Sequence, residues 1–253
     1  MSAEQHFRQA GPIRKSNLAR DLGLLKTGKN GTPPLLSEDT SKKPPVWYLT
    51  DEGAKEAQRL VAQALGYVYV DTGAMYRTLA WYCLRKKADA HDARAVTALL
   101  RKWKTRLECV DGRARLLVDG YHPEKEIRTA EVSAAAPQVA AIPKVREWMV
   151  KRQRECVQFG NLVMEGRDIG SNVFPETEFK FYLDASLEER TKRRAAEGIQ
   201  ENLAARDRRD SQRAAAPLMI PLGAMVINNS RMTSEQTSGL IISEVRKRLA
   251  GRK

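Results

Sequence analysis

Between Val46 and Cys83 the chain alternates two short strand-like runs with two helix-like ones, and this alternation restricts the fold more than any other feature. Val46, Trp47, Tyr48 and Leu49 form a β-branched and aromatic run; after a turn-like stretch at 50–53, Ala57, Leu60, Val61, Ala64 and Leu65 recur at helical spacing. Gly66 stands where a helix C-terminal cap belongs. Residues 67–70 read as a second strand that ends in Asp71-Thr72-Gly73, and Tyr76, Leu79, Ala80 and Cys83 then share one helical face. In a strand–helix–strand–helix succession each helix carries the chain back across the sheet. The strands therefore run parallel, with helices on both sheet faces.

Further along, residues 107–110 and 115–118 read as a hairpin joined around Asp111-Gly112, and the piece from there to Arg128 is expected to project from the sheet as a small insert. Residues 145–157 are predicted helical, 162–164 and 179–183 strands, 187–213 a very basic helical stretch, and 225–227 the last strand. The final helix opens on a Thr233/Gln236 capping box and turns Ile241, Val245 and Leu249 inward. Residues 1–45 differ from all of this: eight Lys/Arg face four Asp/Glu, Pro33, Pro34, Pro44 and Pro45 interrupt any helix, and the stretch is expected to be a flexible basic arm.

Composition narrows the function. A formal net charge of +13 draws polyanions, whether nucleic acid, an anionic membrane surface or phosphorylated small molecules. Aromatic residues are only 6% and no RNP-like run is present, so a dedicated RNA-reading module is poorly supported and a nucleic-acid partner is not expected. No apolar run approaches the roughly 20 residues that cross a bilayer. The first residues lack the apolar segment of a secretory leader, which sets the expectation of a cytoplasmic protein. Cys83, Cys109 and Cys156 lie far apart with no CxxC pair, and the histidines His6, His91 and His122 have no ligand spacing, so neither a disulfide framework nor a protein-held metal is expected.

Four blocks carry the chemistry. Residues 71–77 read DTGAMYR, 126–136 read EIRTAEVSAAA, 164–170 read MEGRDIG with Val173-Phe174-Pro175 after it, and 206–217 read RDRRDSQRAAAP. In this order and at this spacing they resemble the bacterial cytidylate kinase family, nucleoside-monophosphate kinases of the P-loop class, over about 190 residues. The resemblance implies a three-layer α/β fold with a parallel sheet, a small monophosphate-binding insert near 104–130 and an arginine-rich lid near 187–213, all within a domain spanning 46–253. It implies ATP-dependent phosphorylation of CMP or dCMP by a monomer, with Mg²⁺ brought by ATP. Thr72, Tyr76, Arg77, Arg128, Glu165, Arg167 and Asp168 would then hold the acceptor nucleotide, with Arg77 on its phosphate and Gly166 letting the backbone approach a ligand. Arg206, Arg209, Asp210 and Arg213 would act at the transferring phosphoryl; the three arginines recur at three and four residues, and Asp210 is placed to hold one of their guanidiniums.

One part departs from the family. The GxxxxGK[ST] loop that cradles phosphates on backbone N–H groups belongs between the first strand and first helix. There the chain reads YLTDEGAKE at 48–56, retaining only Gly53 and Lys55 as candidates, with no hydroxyl after the lysine and with Asp51 and Glu52 where phosphates would sit. A partial match upstream, from Gly23 to Asn30, lacks the hydroxyl at Asn30 and runs into Pro33-Pro34 where a helix must follow. Three readings stand open: a catalytically impaired nucleotide-binding relative, a kinase with Lys55 as substitute lysine, or a chain whose first residues were altered. A basic RNA-associated protein is the rival from outside the family.

Overall fold

The computed structural model describes residues 46–50, 55–196, 203–212 and 218–251. The arm at 1–45, with the partial match at Gly23 to Asn30, lies outside the described residues, as do Asp51, Glu52, Gly53 and Arg213. The first βα succession is β1 (Val46–Thr50), α1 (Lys55–Leu65), β2 (Val68–Asp71) and α2 (Thr72–Arg85). Gly66 ends α1 at φ +67°, a left-handed conformation that suits glycine, and Tyr67 N–H closes the turn on Ala62 O at 2.9 Å. Then come α3 (Ala93–Lys102), the antiparallel pair β3 (Thr105–Val110) and β4 (Arg113–Val118), a 3₁₀ turn at Glu126–Arg128, α4 (Ala130–Ala141) and α5 (Pro143–Glu155). The chain closes with β5 (Leu162–Glu165), β6 (Lys180–Asp184), α6 (Leu187–Ala196), α7 (Leu203–Ser211), β7 (Met225–Asn228) and α8 (Ser234–Ala250).

The seven strands make one sheet in the order β3-β4-β2-β5-β1-β6-β7, parallel except for β3 against β4. Alternation along β5 divides the interior. Leu162 and Met164 join α2, α4 and α5 residues (Met75, Leu79, Val139, Met149) on one face. Val163 joins Phe181, Ile227, Val61 of α1 and Ile241 and Val245 of α8 on the other. The result is the three-layer α/β arrangement that the alternation predicted, with β5 buried on both sides as a central parallel strand must be.

The predicted turn chemistry holds. Asp111 and Gly112 both have positive φ, as a two-residue hairpin of primed type needs, and the Thr233/Gln236 box caps α8 with both of its hydrogen bonds. The hairpin does not stand clear of the sheet, however. Arg113 pairs with Tyr69, whose N–H donates to Gly112 O at 2.8 Å, so β3 and β4 extend the sheet at its edge. The reason is burial: Leu116 and Val118 of β4 are nearly inaccessible within the first core and hold the hairpin against it.

Candidate functional site

In a parallel sheet, ligands bind beyond the carboxyl ends of the strands. Here β1, β2 and β5 end side by side, with Leu49 opposite Glu165 and Asp71 opposite the same Glu165. Two carboxylates on neighbouring strand ends repel one another unless cations intervene. Three do. Asp71 Oδ2 lies 3.3 Å from Lys55 Nζ, 3.2 Å from Arg77 Nη2 and 3.4 Å from Arg128 Nη2, and Glu165 Oε1 lies 3.7 Å from Lys55 Nζ.

Each of these groups arrives on a different element. Asp71 is the N-cap of α2, its Oδ1 accepting the Ala74 N–H at 2.7 Å. Arg77 lies one turn into α2 and is mostly buried, Arg128 is about half exposed on the 3₁₀ turn, and Lys55 opens α1. Burial alone would push the Asp71 carboxyl up, but Lys55, Arg77 and Arg128 outweigh it and hold the group well below the usual carboxylate range. Glu165 goes the other way. Burial dominates Lys55's attraction and raises it to about 7, with the negative Asp71 adding to the rise. The Tyr69 hydroxyl donates to Glu165 Oε2, and burial together with the Glu165 charge holds that phenol well above its ordinary value.

Other residues expected at the site have partners of their own. The buried Thr72 hydroxyl donates to Glu165 O at 2.6 Å, and Tyr76 packs against the first core. A Cβ on Gly166 would come within 2.4 Å of Thr72 Oγ1 and 2.9 Å of Ile169 side-chain atoms, so this glycine admits protein neighbours. Asp168 is paired with Arg146, a nearly buried residue of α5 that also donates to Ala140 O at 3.3 Å. Nothing in the sequence blocks pointed to Arg146.

The segment expected to form a lid holds, among the described residues, two helices, α6 and α7. Arg167 reaches both carboxylates on one face of α7, Asp207 Oδ1 at 2.5 Å and Asp210 Oδ2 at 3.0 Å. Arg190 of α6 meets the other Asp207 oxygen at 2.7 Å. Asp210 thus pairs with an arginine from outside this segment. Arg206 and Arg209 belong to α7, and their side chains, with all of Arg213, fall outside the described residues. Arg190 and Arg193 are anchored and not simply solvated: Arg193 binds Glu189 Oε1 at 2.9 Å and Asn229 O at 2.8 Å.

The described residues contain no group of three or more His, Cys, Asp or Glu able to hold a metal ion, and none of their helices is long and apolar enough to cross a membrane. All three cysteines are free; burial pushes the Cys83 thiol to about 11 and Cys156 to about 12, which makes neither a nucleophile.

Comparison with known proteins agrees with this architecture. The family model described as cytidylate kinase matches residues 52–247. A cytidylate kinase of Caldanaerobacter subterraneus subsp. tengcongensis is 37% identical over 210 residues, covering 79% of this chain and 92% of that protein. One from Geobacillus thermodenitrificans is 39% identical over 208 residues, covering 78% and 93%. With its motif blocks gathered at the strand ends and most of its length matched, the chain belongs to the cytidylate kinase family.

Proposed function

We propose that the chain is a phosphotransferase that binds CMP or dCMP at the carboxyl ends of β2 and β5 and phosphorylates it with ATP. The observation that supports this most is the convergence of Arg77 and Arg128, from separate elements, on a single Asp71 oxygen. Two forked guanidiniums aimed at one point can both turn to a phosphate dianion, which carries more charge than a carboxylate and can accept from both. The acceptor phosphate is already anionic, so no base has to be found; the protein positions it and neutralises charge. Thr72 and Tyr76 would line the acceptor side. Glu165, Arg167 and Asp168 would fix its shape through the partners described above, while Arg206, Arg209 and Arg213 would meet the transferring phosphoryl from the lid. Magnesium would enter with ATP, as its complex with the triphosphate.

A second reading has its own support: a family member that binds CMP without turning it over. Lys55, the one lysine available as a substitute in the phosphate loop, is committed to Asp71 and Glu165. A coupled ADP-release assay with CMP, dCMP and UMP, run beside calorimetry with CMP alone and ATP alone, separates the two. Turnover at ordinary kinase rates establishes the first reading; CMP binding without ATP binding establishes the second; binding of neither defeats both. Arg77→Ala is expected to weaken CMP binding by about 10-fold or more and to leave ATP binding unchanged, a loss on the scale of one charge-assisted hydrogen bond. Equal losses for both nucleotides would contradict the role given to Arg77.

A further inference from the structure

Asp71 and Glu165 are register partners on adjacent parallel strands, so the backbone itself sets two carboxylates side by side at the mouth of the site. A pair of hard oxygen ligands beside a phosphate-binding position is what draws magnesium in many phosphate-handling proteins. In this chain a divalent cation does not fit there, because the space between the two carboxylates is taken. The Lys55 ammonium lies 3.3 Å from one and 3.7 Å from the other, and its side chain is four-fifths buried.

We propose that Lys55 is a tethered counter-ion, standing at this junction in place of a metal, and that its task is to position charge and not to bind ATP phosphate. This rests on the acceptor-site reading above. Asp71 holds three cations. When Arg77 and Arg128 turn to an entering phosphate, the buried Asp71 still needs a partner, and so does Glu165. Lys55 supplies both from a single atom. Because it opens α1, its backbone is fixed by the helix and its four-carbon stem spans the gap to the strand ends without displacing either arginine. The two acids are then never left alone against the incoming anion, and the arginines are free to leave them.

The test compares the full-length wild type with Lys55→Met, Lys55→Gln and Lys55→Arg. Its first arm titrates Mn²⁺ without nucleotide, read by electron paramagnetic resonance. Removing the ammonium from between two oxygen ligands should raise Mn²⁺ affinity about 10-fold or more in the Met and Gln variants, while Lys55→Arg stays like the wild type. The second arm measures CMP binding by calorimetry in EDTA and in Mg²⁺. Wild-type affinity should be the same in both; Lys55→Met and Lys55→Gln should bind about 10-fold more weakly in EDTA and recover part of the loss in Mg²⁺. A lysine that served only to hold the fold would lower stability without producing metal-dependent recovery. Unchanged Mn²⁺ affinity in both the Met and Gln variants, or wild-type CMP binding that requires Mg²⁺, overturns the proposal. If no variant binds CMP, the acceptor-site reading fails and the Mn²⁺ arm still decides the role of Lys55.

Discussion

The acceptor end of the sheet and the lid are made of the same materials, arginines and carboxylates, yet they are held in place differently. At the acceptor end the charged groups other than the half-exposed Arg128 are rooted in a strand end, a helix end or a buried helix face, and each carboxylate has at least one partner from another element. In the lid, α7 meets Arg167 of the body through Asp207 and Asp210, Arg190 of α6 meets the same Asp207, and Leu203 of α7 is buried. A charge rooted in the core can change only when the core yields, whereas a charge on a latch can change by the latch opening. The first arrangement suits a fixed receptor and the second a part that must close over a substrate and then release it.

Substitutions that remove one arginine should behave differently in the two regions. The largest effect is expected for Arg146→Ala, which leaves Asp168 without its buried partner and Ala140 O without a donor. Breaking such a pair costs about 3–5 kcal/mol, and denaturant unfolding should show the loss as a global shift of the midpoint. Arg167→Ala should do less to global stability, about 1–2 kcal/mol, because α7 can swing away and hydrate its carboxylates. Limited proteolysis should instead show α7 cut much faster than in the wild type. A global loss as large as that of Arg146→Ala, with no gain in cleavage at α7, would erase the distinction between the regions.

The smallest effect sharpens the acceptor side alone. Glu165 is raised from 4.5 to about 7, so between those values the folded protein holds a proton that the unfolded chain has released. Stability from this group is therefore greatest at low pH and falls as pH rises through that window, levelling above it. Asp71 works in the opposite sense, with its contribution present above the ordinary carboxylate range and lost in strong acid. Glu165→Gln removes the first dependence. Its stability relative to wild type should improve by about 1–2 kcal/mol from pH 5 to pH 8 in paired thermal melts, and a flat difference would place the Glu165 proton elsewhere.

Much of the fold was legible because local chemistry and tertiary packing agree in it. The face made by Leu79 and Cys83, the Asp-Gly turn and the Thr233/Gln236 box each depend on neighbours within a few residues. The attachment of the hairpin to β2 was not legible, since a single rung between Tyr69 and Arg113 leaves no periodic trace in either strand. At the site, the motif blocks named Arg77, Arg128 and Glu165, which meet at the strand ends, but not what each one touches. Arg146 sits among the inward-facing Val145 and Met149 of α5, where an arginine at a buried position was the available signal that a carboxylate must meet it. Asp210 was expected to hold one of the neighbouring arginines, and only the fold could show that Arg167 reaches both it and Asp207. Lys55 was a candidate substitute lysine by its place in a loop motif; the carboxylates it meets come from strands that converge only in three dimensions.

Gly166 adds a consequence for how such a site can drift over time. The space its missing side chain leaves is filled twice, by the Thr72 hydroxyl and by Ile169. Shrinking Thr72 would not open the position to alanine, because Ile169 would still be too close, and shrinking Ile169 alone would leave the hydroxyl in the way. Neither route opens in a single step. Three residues on two strands' ends and the turn after them are thereby bound into one historical unit, able to change together or hardly at all.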